Sequence, residues 1–199
     1  MINTENHVVN TFTTPFKYAS IDNFFNDDVI EDINNGWFMP RTLEKIRGLT
    51  NEVQGLVKNT LPNLDRNSKH YTHDFDCEVN LYHYDNTITE LLRDTHADGP
   101  SKYFQCLVYL YPSGVTEVAE GDGRLELMIP KIENKVDHEF DEWEVNKVLP
   151  YTHNRAVMWR SDYFSAHRFY SCSKGRRTVT FSFVDLDDEQ DFGYQRSII

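Results

Sequence analysis

The sequence predicts a mainly β, α+β chain in which amphipathic helices come first and an antiparallel sandwich or barrel of short strands follows. Two observations predict it. Apolar residues recur every three or four positions in the first 62 residues, and after residue 70 they alternate with polar residues or form short runs. The 199 residues contain no internal repeat, low-complexity block or linker, so we expect one domain over residues 1–199.

Two helices are predicted before residue 62. The motif Asp22-Asn23 precedes the first apolar stripe, and Asn34-Asn35-Gly36 ends it. A second stripe opens at Pro40 and continues to Leu61. Each stripe needs a sheet or another helix to cover it, so we expect helical support over about residues 22–62. The apolar positions are Phe24, Phe25, Val29, Ile30 and Ile33 in the first stripe and Leu43, Ile46, Leu49, Val53, Leu56 and Val57 in the second.

Six short strands are predicted after the helices. Turn signals rich in Gly, Pro, Asn and Asp separate them, at the spacing typical of an antiparallel sandwich or barrel. We expect the core of the sheet over about residues 74–185, followed by a solvated tail that begins with five acidic residues in seven. The strands are expected at 77–84, 103–110, 124–129, 146–149, 156–159 and 178–184.

Charge and composition limit the partners. The 20 basic residues against 32 acidic ones give a net charge of −12, which disfavours nucleic acid and anionic lipid. The basic cluster 174–177 is large enough only for one small anion. No apolar run approaches the ~18 residues of a membrane span, and the start lacks a signal-peptide pattern. Cys77, Cys106 and Cys172 form no CxxC pair, so we expect a cytoplasmic protein in a reducing compartment.

Three residues are candidate metal ligands. Alternate residues of an extended segment point the same way, so the side chains of His96 and Asp98 converge beside the sheet. His167 follows an apolar strand and a turn, and can lie opposite His96 at the mouth of a barrel. Two imidazoles and one carboxylate with open positions left on the ion are typical of non-haem Fe(II) oxygenases. Zinc is less favoured because no cysteine is suitably paired.

Arg177 is the candidate anchor for a carboxylate. A 2-oxoacid that chelates two open positions of such an iron needs a partner for its distant carboxylate. Arg177 lies ten residues after His167 and starts the strand 178–183. A guanidinium in a β-lined pocket binds a carboxylate through two parallel hydrogen bonds. Arg176 is expected to point to the opposite face and is the weaker candidate.

Together these motifs resemble the H-x-D…H…G-x-R signature of the Fe(II)/2-oxoglutarate-dependent dioxygenases, most closely the prolyl-4-hydroxylase-like branch. The resemblance covers about residues 18–185. It implies a double-stranded β-helix, which is a cupin-like jelly-roll barrel, with flanking N-terminal helices and iron at the open end. The residues that carry it are His96, Asp98, His167, Gly175 and Arg177, with supporting segments at 21–25, 107–110 and 120–127.

The resemblance also implies roles for individual residues. The triad would hold Fe(II), and Arg177 would bind the C5 carboxylate of 2-oxoglutarate. Tyr109 lies where the family often has a tyrosine that assists this arginine. Asn80, Tyr82 and Tyr84 share one face by alternation, and Tyr82 is the candidate for the cosubstrate pocket, although the family's Tyr-x-Pro-Gly turn is missing and the choice among the three stays open. Trp159 is interpreted as a core residue.

The implied activity is a hydroxylase that couples decarboxylation of 2-oxoglutarate by O2, giving succinate and CO2, to hydroxylation of a C–H bond. Ascorbate is a candidate reductant. The carboxylate of Asp98 implies hydroxylation rather than halogenation. Peptidyl proline is the leading substrate by resemblance, with free amino acids and other small molecules open. The loops 85–94 and 130–144 would form the rim of the site, and the charges of the second favour a cationic or neutral substrate.

Two other functional classes stay open. One is a non-catalytic jelly-roll that keeps the pocket as a ligand-binding module. The other is a cupin-like isomerase with zinc or manganese, for which Arg177 would be incidental. The sequence does not indicate the oligomeric state.

Overall fold

A computed structural model describes residues 1–3, 8–37, 39–61, 76–84, 91–98, 102–131, 143–161 and 165–184. The expected acidic tail and most of the two expected rim loops lie outside these residues. The described chain forms three helices and ten strands. The helices are α1 (Asp27–Asn35), α2 (Pro40–Arg47) and α3 (Thr50–Thr60). The strands are β1 (Val9–Phe12), β2 (Tyr18–Ile21), β3 (Asp76–Tyr84), β4 (Leu91–His96), β5 (Lys102–Leu110), β6 (Leu125–Pro130), β7 (Trp143–Leu149), β8 (Arg155–Arg160), β9 (His167–Tyr170) and β10 (Arg176–Val184).

The strands form two antiparallel sheets. The major sheet has six strands in the order β1-β2-β8-β5-β10-β3, and the minor sheet has four in the order β4-β9-β6-β7. Strands distant in sequence lie side by side in both sheets. The predicted antiparallel β architecture is therefore confirmed, and all six predicted strands are present. Strands β1, β2, β4 and β9 were not predicted. β1, β2 and β9 have four residues each, β1 is exposed along its whole length, and β4 is polar over its last four residues.

The helices cover one face of the major sheet, as their apolar stripes require. Val29 and Ile33 of α1 pack in the same buried cluster as Phe181 and Phe183 of β10. A second buried cluster fills the space between the two sheets, where Leu107 and Trp159 meet Leu125 and Leu127. We call the side of the major sheet that contacts the helices the helix face, and the side that faces the minor sheet the pocket face.

The prediction of one helix from Pro40 to Leu61 is wrong in its extent: two helices, α2 and α3, occupy this segment. Pro40 occupies the first turn of α2, where its missing N–H costs nothing. The helix ends at Gly48, whose N–H donates to the carbonyl of Glu44. The chain turns at this point, and both Ile46 before the break and Val53 after it reach the core. The apolar period continues across the turn, so periodicity alone joined the two helices.

None of the three helices in the described ranges is long and apolar enough to cross a membrane.

Candidate metal centre

The register of the minor sheet brings the three predicted ligands together. His96 ends β4, His167 begins β9, and the two residues are direct partners across these antiparallel strands. Their ring centroids lie 4.4 Å apart. Asp98 follows two residues after His96, and the ligand atoms of all three side chains lie within 4.8 Å of one another. The structure therefore contains a His-Asp-His site at one end of the minor sheet.

A hydrogen bond orients the ring of His167. The Nδ1 atom lies 2.9 Å from the carbonyl oxygen of Ser165. A carbonyl can only accept, so Nδ1 carries the proton and Nε2 presents its lone pair. The ring is buried and packs edge-on against the indole of Trp159, with centroids 5.0 Å apart. Backbone and indole together hold the imidazole in a form that can bind a metal ion.

A pocket between the two sheets contains this site. The three candidate ligands lie in its wall, and hydroxyl, amide and aromatic side chains of β3, β5, β8 and β10 form the side that belongs to the major sheet. Leu125 and Phe169 contribute from the minor sheet. The pocket-lining residues are Tyr82, Tyr84, His96, Asp98, Gln105, Leu107, Leu125, Trp159, His167, Phe169, Arg176, Thr178, Thr180 and Ser182.

Arg177 was expected to line the pocket that holds the candidate metal ligands. This expectation is wrong, because Arg177 is not among the residues that line it. Arg176 lines the pocket instead. Arg177 lies on the helix face, where its guanidinium stacks 5.1 Å from the ring centroid of Trp37 and its Nε donates to Nδ1 of His83 at 3.4 Å. Burial lowers the pKa of Arg177, partly offset by Tyr151. Side chains of β10 alternate between faces, so only one of two adjacent arginines can reach the pocket.

Arg176 is a buried cation among aromatic rings. Its residue is 1% exposed, and its guanidinium carbon lies 4.5 Å from the ring centroid of Phe169 and 5.3 Å from that of Tyr109. The Nε atom donates to the carbonyl of Gly123 at 3.4 Å, whereas Nη2 is buried and has no hydrogen-bond partner in the described part of the chain. A guanidinium in such surroundings favours an anion beside it, because burying an unpaired charge is costly.

Tyr109 lies beside Arg176 but not in the pocket wall. Burial raises its pKa to about 12, although Arg176 acts in the opposite direction. The phenol is therefore neutral and packs edge-on against Tyr151, with centroids 5.3 Å apart. Tyr109 was expected to lie beside Arg177. It lies beside an arginine, but that arginine is Arg176.

Tyr82 lines the pocket, as expected, and is 42% exposed. Its ring stacks on that of Tyr84, which also lines the pocket, with centroids 6.3 Å apart and planes 10° from parallel. Asn80 is exposed and is not among the lining residues. Of the three residues that alternation put on one face, the two tyrosines reach the pocket.

Five further lining residues were not predicted as site residues: Gln105, Trp159, Thr178, Thr180 and Ser182. Gln105 is a single amide inside the apolar run 103–110, which is an available signal because buried strands rarely carry an unexplained polar side chain. Trp159 is buried, as a core residue should be, but it also lines the pocket. Thr178, Thr180 and Ser182 alternate with apolar residues along β10, and this alternation indicates that Arg176 shares their face.

The donor set is suited to Fe(II). Imidazole nitrogens and a carboxylate oxygen are ligands that iron accepts, and three protein ligands leave coordination positions open. No described cysteine belongs to the cluster, so it differs from the closed thiolate sites that hold structural zinc. The residues present therefore fit an iron ion.

The fold matches that of one solved hydroxylase structure, and two others are less similar. A prolyl-4-hydroxylase from Pseudomonas putida superposes with a TM-score of 0.52 at 12% identity, covering 85% of this chain and 85% of that chain. A prolyl 4-hydroxylase from Phytophthora capsici gives 0.48 at 17% identity, covering 86% of this chain and 59% of that one. A prolyl hydroxylase from Trichoplax adhaerens, in complex with a hypoxia inducible factor peptide fragment, gives 0.48 at 18% identity, covering 78% and 63%.

The chain thus spans less than two thirds of the Phytophthora and Trichoplax proteins. No protein-family model and no curated protein sequence matches the chain. The Pseudomonas structure confirms the fold expected from the resemblance, a jelly-roll with flanking helices.

Proposed function

We propose that the protein is an Fe(II)- and 2-oxoglutarate-dependent hydroxylase. One observation carries the proposal: a His-Asp-His cluster and a buried arginine with an unpartnered Nη2 atom, within the described residues, line the same pocket. The cluster fits iron, and the guanidinium fits the far carboxylate of a keto-diacid. Neither feature is required by the core packing of a jelly-roll.

His96, Asp98 and His167 would hold the iron. The Ser165 carbonyl keeps the proton of His167 on Nδ1, so Nε2 is available for the ion without a change of tautomer. The negative charge of Asp98 would offset part of the charge of the ion. When bound, iron and 2-oxoglutarate supply the activation of O2 for C–H hydroxylation, with succinate and CO2 as products.

Arg176 would bind the C5 carboxylate of 2-oxoglutarate, in place of Arg177. The aromatic rings of Phe169 and Tyr109 exclude water from the guanidinium and hold it through cation–π contacts. A carboxylate would satisfy the unpartnered Nη2 atom and neutralise the buried charge. The hydroxyls of Thr178 and Thr180 lie farther along the same strand and give this part of the pocket a polar side.

The substrate we favour is peptidyl proline or a related amino-acid unit, with ascorbate as a candidate reductant. This choice is supported by the resemblance in the motifs. The stacked pair Tyr82 and Tyr84 lines the pocket, and flat aromatic surfaces suit an apolar ring such as that of proline. The free thiols of Cys77, Cys106 and Cys172 support a reducing compartment such as the cytoplasm.

The test is formation of succinate from 2-oxoglutarate by purified protein supplied with Fe(II), O2 and a panel of peptides and amino acids. We expect turnover that requires iron and is lost in His96→Ala. His83→Ala is the matched control, because it removes an imidazole on the helix face. The proposal would be refuted if turnover survived in His96→Ala. It would also be refuted if no succinate formed, either with any member of the panel or without an added substrate.

A further inference from the structure

Tyr151 contacts the start of β10, although it belongs to the segment that joins β7 to β8. Its hydroxyl donates to the carbonyl of Leu110 and accepts the backbone N–H of Arg177 at 2.9 Å. Leu110 and Arg177 are direct partners in the register of β5 and β10. The hydroxyl therefore ties the end of β5 to the start of β10, one residue away from Arg176.

The ring of Tyr151 belongs to the aromatic surroundings of the Arg176 guanidinium. Its centroid lies 6.0 Å from the guanidinium carbon, and it packs edge-on against Tyr109, the ring that lies 5.3 Å from the same carbon. Tyr151 is 2% exposed, and burial raises the pKa of its phenol. The phenol therefore stays neutral and keeps the proton that it donates to Leu110.

Gly123 connects the same ring to the side chain of Arg176. Its carbonyl accepts from Nε of Arg176 at 3.4 Å, and its backbone has a positive φ of 65°. A Cβ atom at this position would lie 2.8 Å from Cδ1 of Tyr151, which is closer than side-chain carbons approach in proteins. The backbone conformation and the Tyr151 ring thus both require glycine here, and its carbonyl reaches Arg176 from a backbone that packs directly against the ring.

Arg176 is therefore held at its backbone, at its guanidinium and at its Nε atom. Tyr151 contributes to all three contacts, to the last through Gly123, but is not among the residues that line the pocket. A guanidinium that is fixed before the ligand arrives loses little conformational freedom when it pairs with a carboxylate. A fixed distance from this cation to the metal ligands also favours one length of diacid, because an extra methylene does not fit between two fixed ends.

We propose that Tyr151 is a positioning residue for the cosubstrate. It fixes the guanidinium of Arg176 at the distance from the metal ligands that one length of keto-diacid spans, and Gly123 takes part in the same arrangement. Tyr151 acts through Arg176 and touches neither the diacid nor the metal. This inference rests on the proposed function and extends it to the residues that set the affinity and the length selectivity for the diacid.

The test measures binding by calorimetry to protein loaded with Mn(II), without turnover. The probes are 2-oxoglutarate and 2-oxoadipate, a keto-diacid that is longer by one methylene. Tyr151→Phe keeps the ring but removes the hydroxyl from both backbone contacts. Tyr111→Phe is the matched control, because its hydroxyl also donates to a backbone carbonyl, at 3.1 Å, but that carbonyl belongs to Tyr151 and lies outside β10. Gly123→Ala, which adds a Cβ against the Tyr151 ring, is the second variant and gives the same measurement if Tyr151→Phe does not fold.

We expect the wild-type protein to bind 2-oxoglutarate more tightly than 2-oxoadipate. Tyr151→Phe should keep Mn(II) binding and raise the Kd of 2-oxoglutarate about fivefold or more, the lower end of the cost of an unmade buried hydrogen bond. The Kd of 2-oxoadipate should rise less, so the ratio of the two Kd values moves toward one, and Gly123→Ala should move it the same way. Tyr111→Phe should leave both Kd values within about twofold.

An unchanged Kd for 2-oxoglutarate or an unchanged ratio in Tyr151→Phe would overturn the inference, because Tyr151 would then only stabilise the fold. An equal change in Tyr111→Phe would also overturn it, as would loss of Mn(II) binding in Tyr151→Phe, since the effect would then not act through Arg176. Failure of the wild-type protein to bind Mn(II) and 2-oxoglutarate would instead refute the proposed function on which this inference rests, and the inference with it.

Discussion

The two faces of β10 differ in what they contribute, although their residues alternate in one strand. The pocket face carries Arg176, Thr178, Thr180 and Ser182, whereas the helix face carries Arg177 and the apolar residues that pack under the helices. Each arginine has one nitrogen buried without a hydrogen-bond partner among the described residues, Nη2 of Arg176 and Nη1 of Arg177, but on β10 the hydroxyls lie on the pocket face alone. Side chains on the helix face form a dense apolar core. Changes on the first face should affect binding and chemistry, and changes on the second should affect stability.

The largest expected effect is on the pocket side of this comparison. Asp98→Ala removes the one carboxylate of the triad, so we expect Mn(II) binding and succinate formation to fall below detection while the thermal unfolding midpoint changes little. Asp122→Ala, which removes a surface carboxylate that accepts from Ser173, is the control and should keep both activities. Metal titration and succinate assays measure the outcome. Full activity in Asp98→Ala would contradict the assignment of Asp98 as a metal ligand.

The next effect is on the helix face. Phe181 is fully buried in the core under the helices, so Phe181→Ala should lower the free energy of unfolding by about 3–5 kcal/mol through lost burial and a cavity. The neighbouring Thr180→Ala changes the pocket face and should cost less than about 1 kcal/mol. Denaturant unfolding of both variants checks this. Equal losses of stability would show that the faces are not separate.

The adjacent arginines sharpen the comparison further. Arg176→Met should raise the KM for 2-oxoglutarate by about 30-fold or more, the cost of truncating one partner of a buried charge pair. Arg177→Met should leave that KM within about twofold and lose about 0.5–1 kcal/mol of stability with its contact to Trp37. The two variants remove the same charge one residue apart. If Arg177→Met raised the KM for 2-oxoglutarate more than Arg176→Met did, Arg177 would be the carboxylate anchor, as the motif predicted.

The smallest effect concerns arginines that already have a partner. Glu126 is nearly buried between Arg124 and Arg168, with N–O distances of 2.7 and 2.6 Å. Burial alone would raise its pKa, but hydrogen bonds from both arginines lower it overall. A lowered folded-state pKa gives stability above the unfolded value, about 4.3, that is lost as the pH falls through the folded value.

Glu126→Gln should therefore cost about 1–2 kcal/mol at pH 7, because the arginines stay partly exposed, and the difference from wild type should shrink as the pH falls below about 4. Urea unfolding at several pH values measures it. A difference that does not depend on pH would mean that the charge of Glu126 is not what stabilises the cluster.

Much of the architecture could be predicted from local pattern. Apolar alternation, short apolar runs and the helical stripes were sufficient for six of the strands and for the helical layer. The strands β4 and β9 were not predicted, since β4 is polar over its last four residues and β9 has only four residues, so neither has a clear apolar pattern. Their pairing is nonetheless what joins His96 to His167.

The triad was expected because its residues occur at family spacing, but the arginine was misassigned. Spacing from His167 selected Arg177, whereas strand alternation selects Arg176, because the face of a side chain depends on parity within β10 and not on distance along the chain. The same parity shows that Ser182 and Gln105 face the pocket. Their contact also needed the register between β10 and β5, which depends on packing across the whole sheet.

The most direct measurement of the central claim is calorimetric titration of 2-oxoglutarate into wild-type, Arg176→Met and Arg177→Met proteins, each with and without Mn(II). We predict saturable binding that requires the metal in the wild-type protein and in Arg177→Met, and binding that is weaker by about 30-fold or more in Arg176→Met. Binding that ignores the metal, or that is lost in Arg177→Met and kept in Arg176→Met, would contradict the assignment of this pocket to iron and a keto-diacid.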